Sequence, residues 1–88
     1  MACAHADQIR MEIPPEAQKS NAVCRECVAM GSHWVHLRIC LTCGHIGCCD
    51  SSPNRHARQH WRASLHPIVG SMEPAERWTY CFEDDEFL

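Results

Sequence analysis

Apolar and polar residues alternate with period two in two stretches of the chain. Ile9, Met11 and Ile13 are interleaved with Gln8, Arg10 and Glu12, and Val35, Leu37 and Ile39 with His36 and Arg38. That period marks half-buried strands. The first is closed by Pro14-Pro15. The second follows Trp34 and runs into Cys40, and His45–Cys49 after Gly44 reads as its return strand, making a hairpin. Ile68-Val69 is a brief strand, and the aromatic-rich Arg77–Phe82 is predicted as the last one. Between the hairpin and Ile68 lies the main helix, predicted over 53–64. Ser52 suits an N-cap and Pro53 the first helical position, where a missing N–H costs nothing. His66-Pro67 stops it, because a residue before proline disfavours the helical region. Glu16–Ser20 is a polar connection that reads equally as a loop or as one helical turn, and Gly70–Glu76 is a turn or loop. The fold class is therefore α+β: a short antiparallel sheet of three to five strands packed with one main helix, with room for a second short one. A single domain over residues 1–88 is expected.

A chain of 88 residues buries little apolar surface, so a staple is expected, either disulfides or metal. Eight cysteines accompany seven histidines. Thiols mixed with imidazoles, and two C-x2-C pairs at Cys24/Cys27 and Cys40/Cys43, suit tetrahedral zinc better than a disulfide lattice. Met1–His5 has neither a basic nor an apolar signal-peptide region, and no run reaches the ~18 to 20 apolar residues of a membrane span. The expected setting is reducing and cytoplasmic, with no membrane partner.

The charge is −3 with thiols counted as neutral. A site of three thiolates and one imidazole adds −1 after receiving the metal, and a two-plus-two site adds nothing. General attraction to polyanions is therefore not expected, and nucleic acid is a poor candidate partner. One local exception is the helix face carrying Arg55, Arg58 and Arg62, within about 60° of one another at 100° per residue. It reads as a solvated face or, alternatively, as an anion or nucleic-acid contact.

The strongest ligand candidates in chain order are Cys24, Cys27, Cys40, Cys43, Cys48, His56, His60 and His66. Eight donors fill two closed tetrahedral sites. Spacing by itself leaves their pairing open, since neighbouring C-x2-C units commonly interleave. Catalysis is not expected, because closed sites leave no position for an activated water. Neither the deaminase pattern of H-x-E with P-C-x-x-C nor H-E-x-x-H is present. Cys3, Cys49 and Cys81 remain as thiols that a redox- or metal-responsive protein would use, and Cys49 otherwise reads as a small buried hydrophobe.

This order, C-x2-C, then C-x2-C-x4-C, then H-x3-H-x5-H, closing with W-x-Y, resembles the ubiquitin-specific-protease-type (UBP-type) zinc finger. The resemblance runs from Cys3 to Cys81, and the short stand-alone bacterial members are the most similar. It implies a non-catalytic zinc-binding module that recognises a protein or peptide terminus, such as a ubiquitin-like C-terminal tail. It implies a first site of Cys24, Cys27, Cys48 and His56, and a second of Cys40, Cys43, His60 and His66. His56 and His60 lie one turn apart, roughly 6 Å along the axis, which suits two neighbouring ions. A third site in many members combines an N-terminal C-x-H with a C-terminal C-x2-C. Here Cys3, His5 and Cys81 match three of those donors, with Cys49 or Asp84 as the fourth. Two zinc ions are expected, or three if that set is used.

In ubiquitin-binding members aromatic residues wall a pocket for the tail, and an arginine grips its carboxylate bidentately. Trp78 and Tyr80 match the walls by position. The arginine does not match: Cys49-Asp50 stands in its place, and an aspartate repels a carboxylate. Arg55 or Arg38 is the nearby substitute. An aromatic residue expected just before Cys40 is replaced by Arg38, with Trp34 four residues earlier. The ligand-binding candidates are thus Trp34, Arg55, Trp78 and Tyr80.

Overall fold

A computed structural model describes residues 5–88. Five strands form one antiparallel sheet in the order β2-β1-β3-β4-β5: β1 (Leu37–Cys40), β2 (Ile46–Cys48), β3 (Ile68–Ser71), β4 (Thr79–Cys81) and β5 (Glu86–Phe87). Three α-helices accompany it, α1 (Glu16–Lys19), α2 (Arg25–Ala29) and α3 (His56–Ser64). Among the described residues no helix is long and apolar enough to cross a membrane.

The register divides the residues between the two faces. Leu37, Ile39 and Ile68 fall on one face and join Cys24, Cys27, Cys48 and Cys81 in the main core, with Met11, Ile13 and Trp34 packed against it. Val69 and Tyr80, paired across β3 and β4, fall on the other face, where Ala57 and Trp61 of α3 and Phe82 cover them. Trp61 and Phe82 stack with ring centroids 5.3 Å apart. α3 thus lies on one face while the knuckle helix α2 contributes to the core of the other.

Several expected boundaries move, each for a local reason. Residues 9–13 form no strand. Arg10 N–H donates to Leu41 O at 2.8 Å and Thr42 Oγ1 to Gln8 O at 2.7 Å, but Pro14-Pro15 have no N–H with which to extend a ladder. The alternation survives only as half-burial of Met11 and Ile13. Glu16–Lys19 resolves as a helical turn. The Cys24/Cys27 pair sits at the start of a helix: Cys24 is the N-cap of α2 and Cys27 lies inside it, since one helical turn brings i and i+3 to one side.

α3 begins at His56, three residues later than predicted. Arg55 adopts a left-handed conformation (φ 48°) before it, and the Ser52 hydroxyl accepts the Val35 N–H at 2.8 Å rather than capping the helix. The start is tied to the first cysteine cluster, because His56 N–H points at Cys48 Sγ, 3.1 Å away. β4 is not the last strand. Asp85, at φ 52°, turns the acidic segment back so that Phe87 pairs with Tyr80.

Lys19 is the other departure from the sequence reading. Its side chain is fully buried and donates to Glu73 O at 3.1 Å and to Glu76 O, while its ammonium pairs with Glu16 at 3.2 Å. The Glu73 carboxylate accepts the Leu37 N–H at 2.8 Å. A buried ammonium is tolerable only with such partners. Together they tie α1 to the β3–β4 connection, and that connection to β1.

Candidate metal centre

The first cluster takes Cys24 and Cys27 from α2, Cys48 from the end of β2 and His56 from the first turn of α3, all buried. His56 Nδ1 lies 3.2, 3.4 and 3.5 Å from the sulfurs of Cys24, Cys27 and Cys48, and Cys27 and Cys48 sulfurs are 3.8 Å apart. Four donors at ordinary zinc bond lengths around one tetrahedral ion would stand roughly 3.5 Å apart for S to N and 3.8 Å for S to S. A disulfide would require about 2.05 Å. The separations fit a shared metal.

The second cluster combines Cys40, Cys43, His60 and His66, with donor atoms again within 4.8 Å of one another. Cys43 Sγ is 3.2 Å from His60 Nε2, and Cys40 Sγ 3.7 Å from His66 Nδ1. Cys40 is buried, Cys43 exposed and both histidines half-buried. The two-histidine helix therefore hands one imidazole to each cluster. Burial pushes the Cys24 and Cys40 thiols up from their ordinary values, so a metal must displace protons to bind there. Burial and the neighbouring His45 and His66 rings hold His60 down, which favours the neutral imidazole that ligates.

Supporting contacts link the two clusters. His45 lies flat against His60, with centroids 4.1 Å apart and planes 9° from parallel, and its Nε2 is 2.7 Å from Glu26 Oε1 of α2. Asn54 Nδ2 donates to Ser32 Oγ at 2.8 Å and lies 3.6 Å from Cys27 Sγ. Sequence reasoning passed over His45; its only signal was a histidine directly after the second knuckle.

A third grouping joins His5, Cys81 and Asp84. His5 Nδ1 is 3.1 Å from Asp84 Oδ2, and Cys81 Sγ is 3.8 Å from each. Of the two candidates for the remaining donor, Asp84 is here and Cys49 is not. Cys49 is buried beside Ser52, with its sulfur 3.6 Å from the hydroxyl. Its burial raises the thiol's pKa, but hydrogen bonds from Ser52 and the Ser51 and His36 backbone, with the Arg38 charge, bring it below the ordinary value. Cys3 lies outside the described residues.

A cavity of about 220 Å³ opens on the α3 side of the sheet, lined by residues that include Arg38, Cys49, Asp50, Trp78, Tyr80 and Phe87. Trp78 and Tyr80 both line it. Trp34 does not; it packs against the main core. Arg55 lines a separate cleft with Arg58 and Arg62. Arg38, the other substitute cation, reaches the cavity with its guanidinium 4.5 Å from the centre of the Trp78 ring. Among the described residues it has no carboxylate within ion-pair distance. Trp78 Nε1–H donates to Glu76 Oε1 at 3.2 Å, fixing the ring from behind.

Donor sets of thiolate and imidazole, gathered by a small α+β fold with few large side chains in its core, define a zinc-binding domain. The sequence model of the family described as "Zn-finger in ubiquitin-hydrolases and other protein" matches residues 24–88, and the chain belongs to that family. It is 31% identical over 65 residues to ubiquitin carboxyl-terminal hydrolase 44 of Danio rerio, covering 74% of this chain and 8% of that protein. It is 35% identical over 66 residues to BRCA1-associated protein of Homo sapiens, covering 75% and 10% respectively. The chain thus spans about a tenth of the length of these curated relatives. The solution NMR structure of protein RPA1320 from Rhodopseudomonas palustris superposes with a TM-score of 0.81 at 46% identity, covering all of this chain and 81% of that one.

Proposed function

We propose that the chain is a non-catalytic recognition module that binds the C-terminal tail of a protein or peptide in the Arg38–Trp78 cavity. The observation that carries the reading is a guanidinium held over an indole at 4.5 Å inside an aromatic cavity, with no carboxylate within ion-pair distance among the described residues. Arg38 then takes the carboxylate, and Trp78 and Tyr80 flank the small residues before it. The planar guanidinium fork suits a carboxylate, and stacking on the indole keeps it in place without neutralising it. The relatives the chain resembles include a ubiquitin carboxyl-terminal hydrolase and a BRCA1-associated protein, which supports a ubiquitin-like tail as the first ligand to try.

The zinc ligands in this reading are Cys24, Cys27, Cys48 and His56 at one site and Cys40, Cys43, His60 and His66 at the other, with His5, Cys81 and Asp84 as a third. Zinc bound by four protein donors holds the fold together and leaves no open position for chemistry. Thiolate ligation also agrees with a reducing, cytoplasmic setting. The arginine face is less well suited to anions than its sequence implied, because Arg58 is bound to Asp50, leaving Arg55 and Arg62.

The test is a titration of zinc-loaded protein with a peptide ending in free Gly-Gly, followed by tryptophan fluorescence. Binding is expected for the free acid, at least tenfold weaker binding for the amidated peptide, and a comparable loss in Arg38→Ala. No response to the free acid at millimolar peptide, or equal binding of acid and amide, would overturn the reading.

A further inference from the structure

We propose that the His5–Cys81–Asp84 grouping is a metal-dependent latch on this cavity: an ion held there fixes the β4–β5 hairpin, whose other side forms the cavity's aromatic wall. The inference rests on the tail-capture reading for the identity of the ligand, but not for the coupling between metal and hairpin.

The argument begins with strand alternation. Successive side chains of β4 point to opposite faces, so Tyr80 lies against Val69 and Phe82 while the next residue, Cys81, enters the core on the other face. The turn repeats the division. Asp84 Oδ2 faces His5 and Cys81, whereas Asp85, its neighbour, accepts the Tyr80 hydroxyl. β5 then returns Phe87 to the cavity, where its ring meets Trp78 edge-on at 5.5 Å and Tyr80 at 5.1 Å. Cys81 is thus flanked by two residues of the cavity wall, Tyr80 and Phe82, and Asp84 is followed by the residue that accepts the Tyr80 hydroxyl.

The turn and β5 are the least buried part of the hairpin. β4 is secured by its pairing with β3, but β5 is a two-residue edge strand and residues 83–88 are all exposed. An ion at this grouping would join His5 to Cys81 across 76 residues of sequence and bind both β4 and its turn at once. The mixed imidazole, thiolate and carboxylate set is one that zinc accepts. Among the described residues it supplies fewer thiolates than the first two clusters, and its carboxylate is exposed, so it is expected to fill last. Order in the wall would then follow metal supply, and affinity for a ligand would follow order.

The experiment uses the whole chain refolded with two or three equivalents of zinc. Amide exchange is read at Leu88, whose N–H donates to Thr79 O at 2.9 Å, together with the Tyr80 and Phe87 ring resonances and affinity for the free-carboxylate peptide. The third equivalent is expected to bind, slow Leu88 exchange at least tenfold, shift both rings and tighten peptide binding about tenfold. Asp84→Ala should stop at two equivalents and keep fast exchange, and Asp84→Cys should restore the third step. A third equivalent that does not bind, or that binds without changing Leu88, Tyr80 and Phe87, overturns the latch. So does a tightened hairpin with unchanged peptide affinity. Peptide binding at neither metal content, with the exchange response intact, overturns tail capture and leaves the metal–hairpin coupling supported.

Discussion

Arg58 on α3 grips both carboxylate oxygens of Asp50 on the loop after β2, with Nε 3.0 Å from Oδ1 and Nη2 2.6 Å from Oδ2. The guanidinium also lies 4.8 Å from the centre of the Phe82 ring. Asp50 was the residue that argued against an anionic ligand, and this pairing offsets its charge at the cavity rim. Arg58 and Asp50 side chains are 26% and 45% exposed, which places the pair in the range of surface ion pairs, about 0.5–1 kcal/mol. Arg58→Ala and Asp50→Ala are each expected to lower stability by about that much, with a coupling energy of similar size that shrinks in high salt. Thermal denaturation of the zinc-saturated double-mutant cycle measures it; additive losses would show that the two residues act separately. Arg58→Ala should also weaken capture of a carboxylate, because Asp50 is then uncompensated.

Metal removal should unfold the chain. Structural zinc contributes roughly 10–16 kcal/mol of apparent free energy per site, far more than a domain of this size gains from its core. Circular dichroism during chelation is expected to show loss of structure, and Cys24→Ala to prevent folding at any zinc concentration. The order of exposure should differ between clusters: Cys43 is exposed while Cys24, Cys27 and Cys48 are buried. With chelator limiting, mass spectrometry of alkylated protein should find Cys43 modified first. Simultaneous labelling of all four would mean the clusters open together.

Gly47 lies where α3 approaches the sheet. A Cβ there would stand 2.6 Å from Ala57 N and 2.9 Å from the His45 ring, and backbone cannot yield as a flexible side chain can. Gly47→Ala is expected to push the start of α3, and His56 with it, away from Cys48, costing about 1–3 kcal/mol. Zinc competition assays should show weakened metal binding. Wild-type affinity and stability together would show that α3 can shift without disturbing the cluster.

Glu76 supplies a pH-dependent contact. The Ser71 hydroxyl donates to its carboxylate at 2.6 Å, and this bond, with a smaller one from Trp78, lowers its pKa from the ordinary 4.5. A carboxylate depressed on folding stabilises the native state above its unfolded value, and that contribution is lost as pH falls through the folded value. In zinc-saturated protein the Glu76 carboxyl resonance is therefore expected to titrate with a midpoint below 4.5. A midpoint at or above 4.5 would show that the Ser71 bond is not made in solution.

Much of the candidate site was legible because its signals are local. C-x2-C in one turn and His56 and His60 at i, i+4 are governed by backbone geometry over a few residues. The hairpin around Cys40–Cys48 and the aromatic β4 were readable from alternation for the same reason. Boundaries were less so. α3 starts at His56 because the helix meets Cys48, and a Ser52-Pro53 signal yields to that contact and to the Val35 hydrogen bond.

The sequence by itself determined the inventory of donors, the class of fold and the main helix, since composition and short-range periodicity specify these. Tertiary structure decided what depends on residues far apart in the chain. It brought Asp84 rather than Cys49 to His5 and Cys81, and it sent Trp34 to the core and Arg38 to the cavity. It buried Lys19 against the β3–β4 connection and folded an acidic ending into a fifth strand. These outcomes follow from which surfaces meet when the sheet closes, and an ion pair such as Arg58–Asp50 exists only once α3 lies across it.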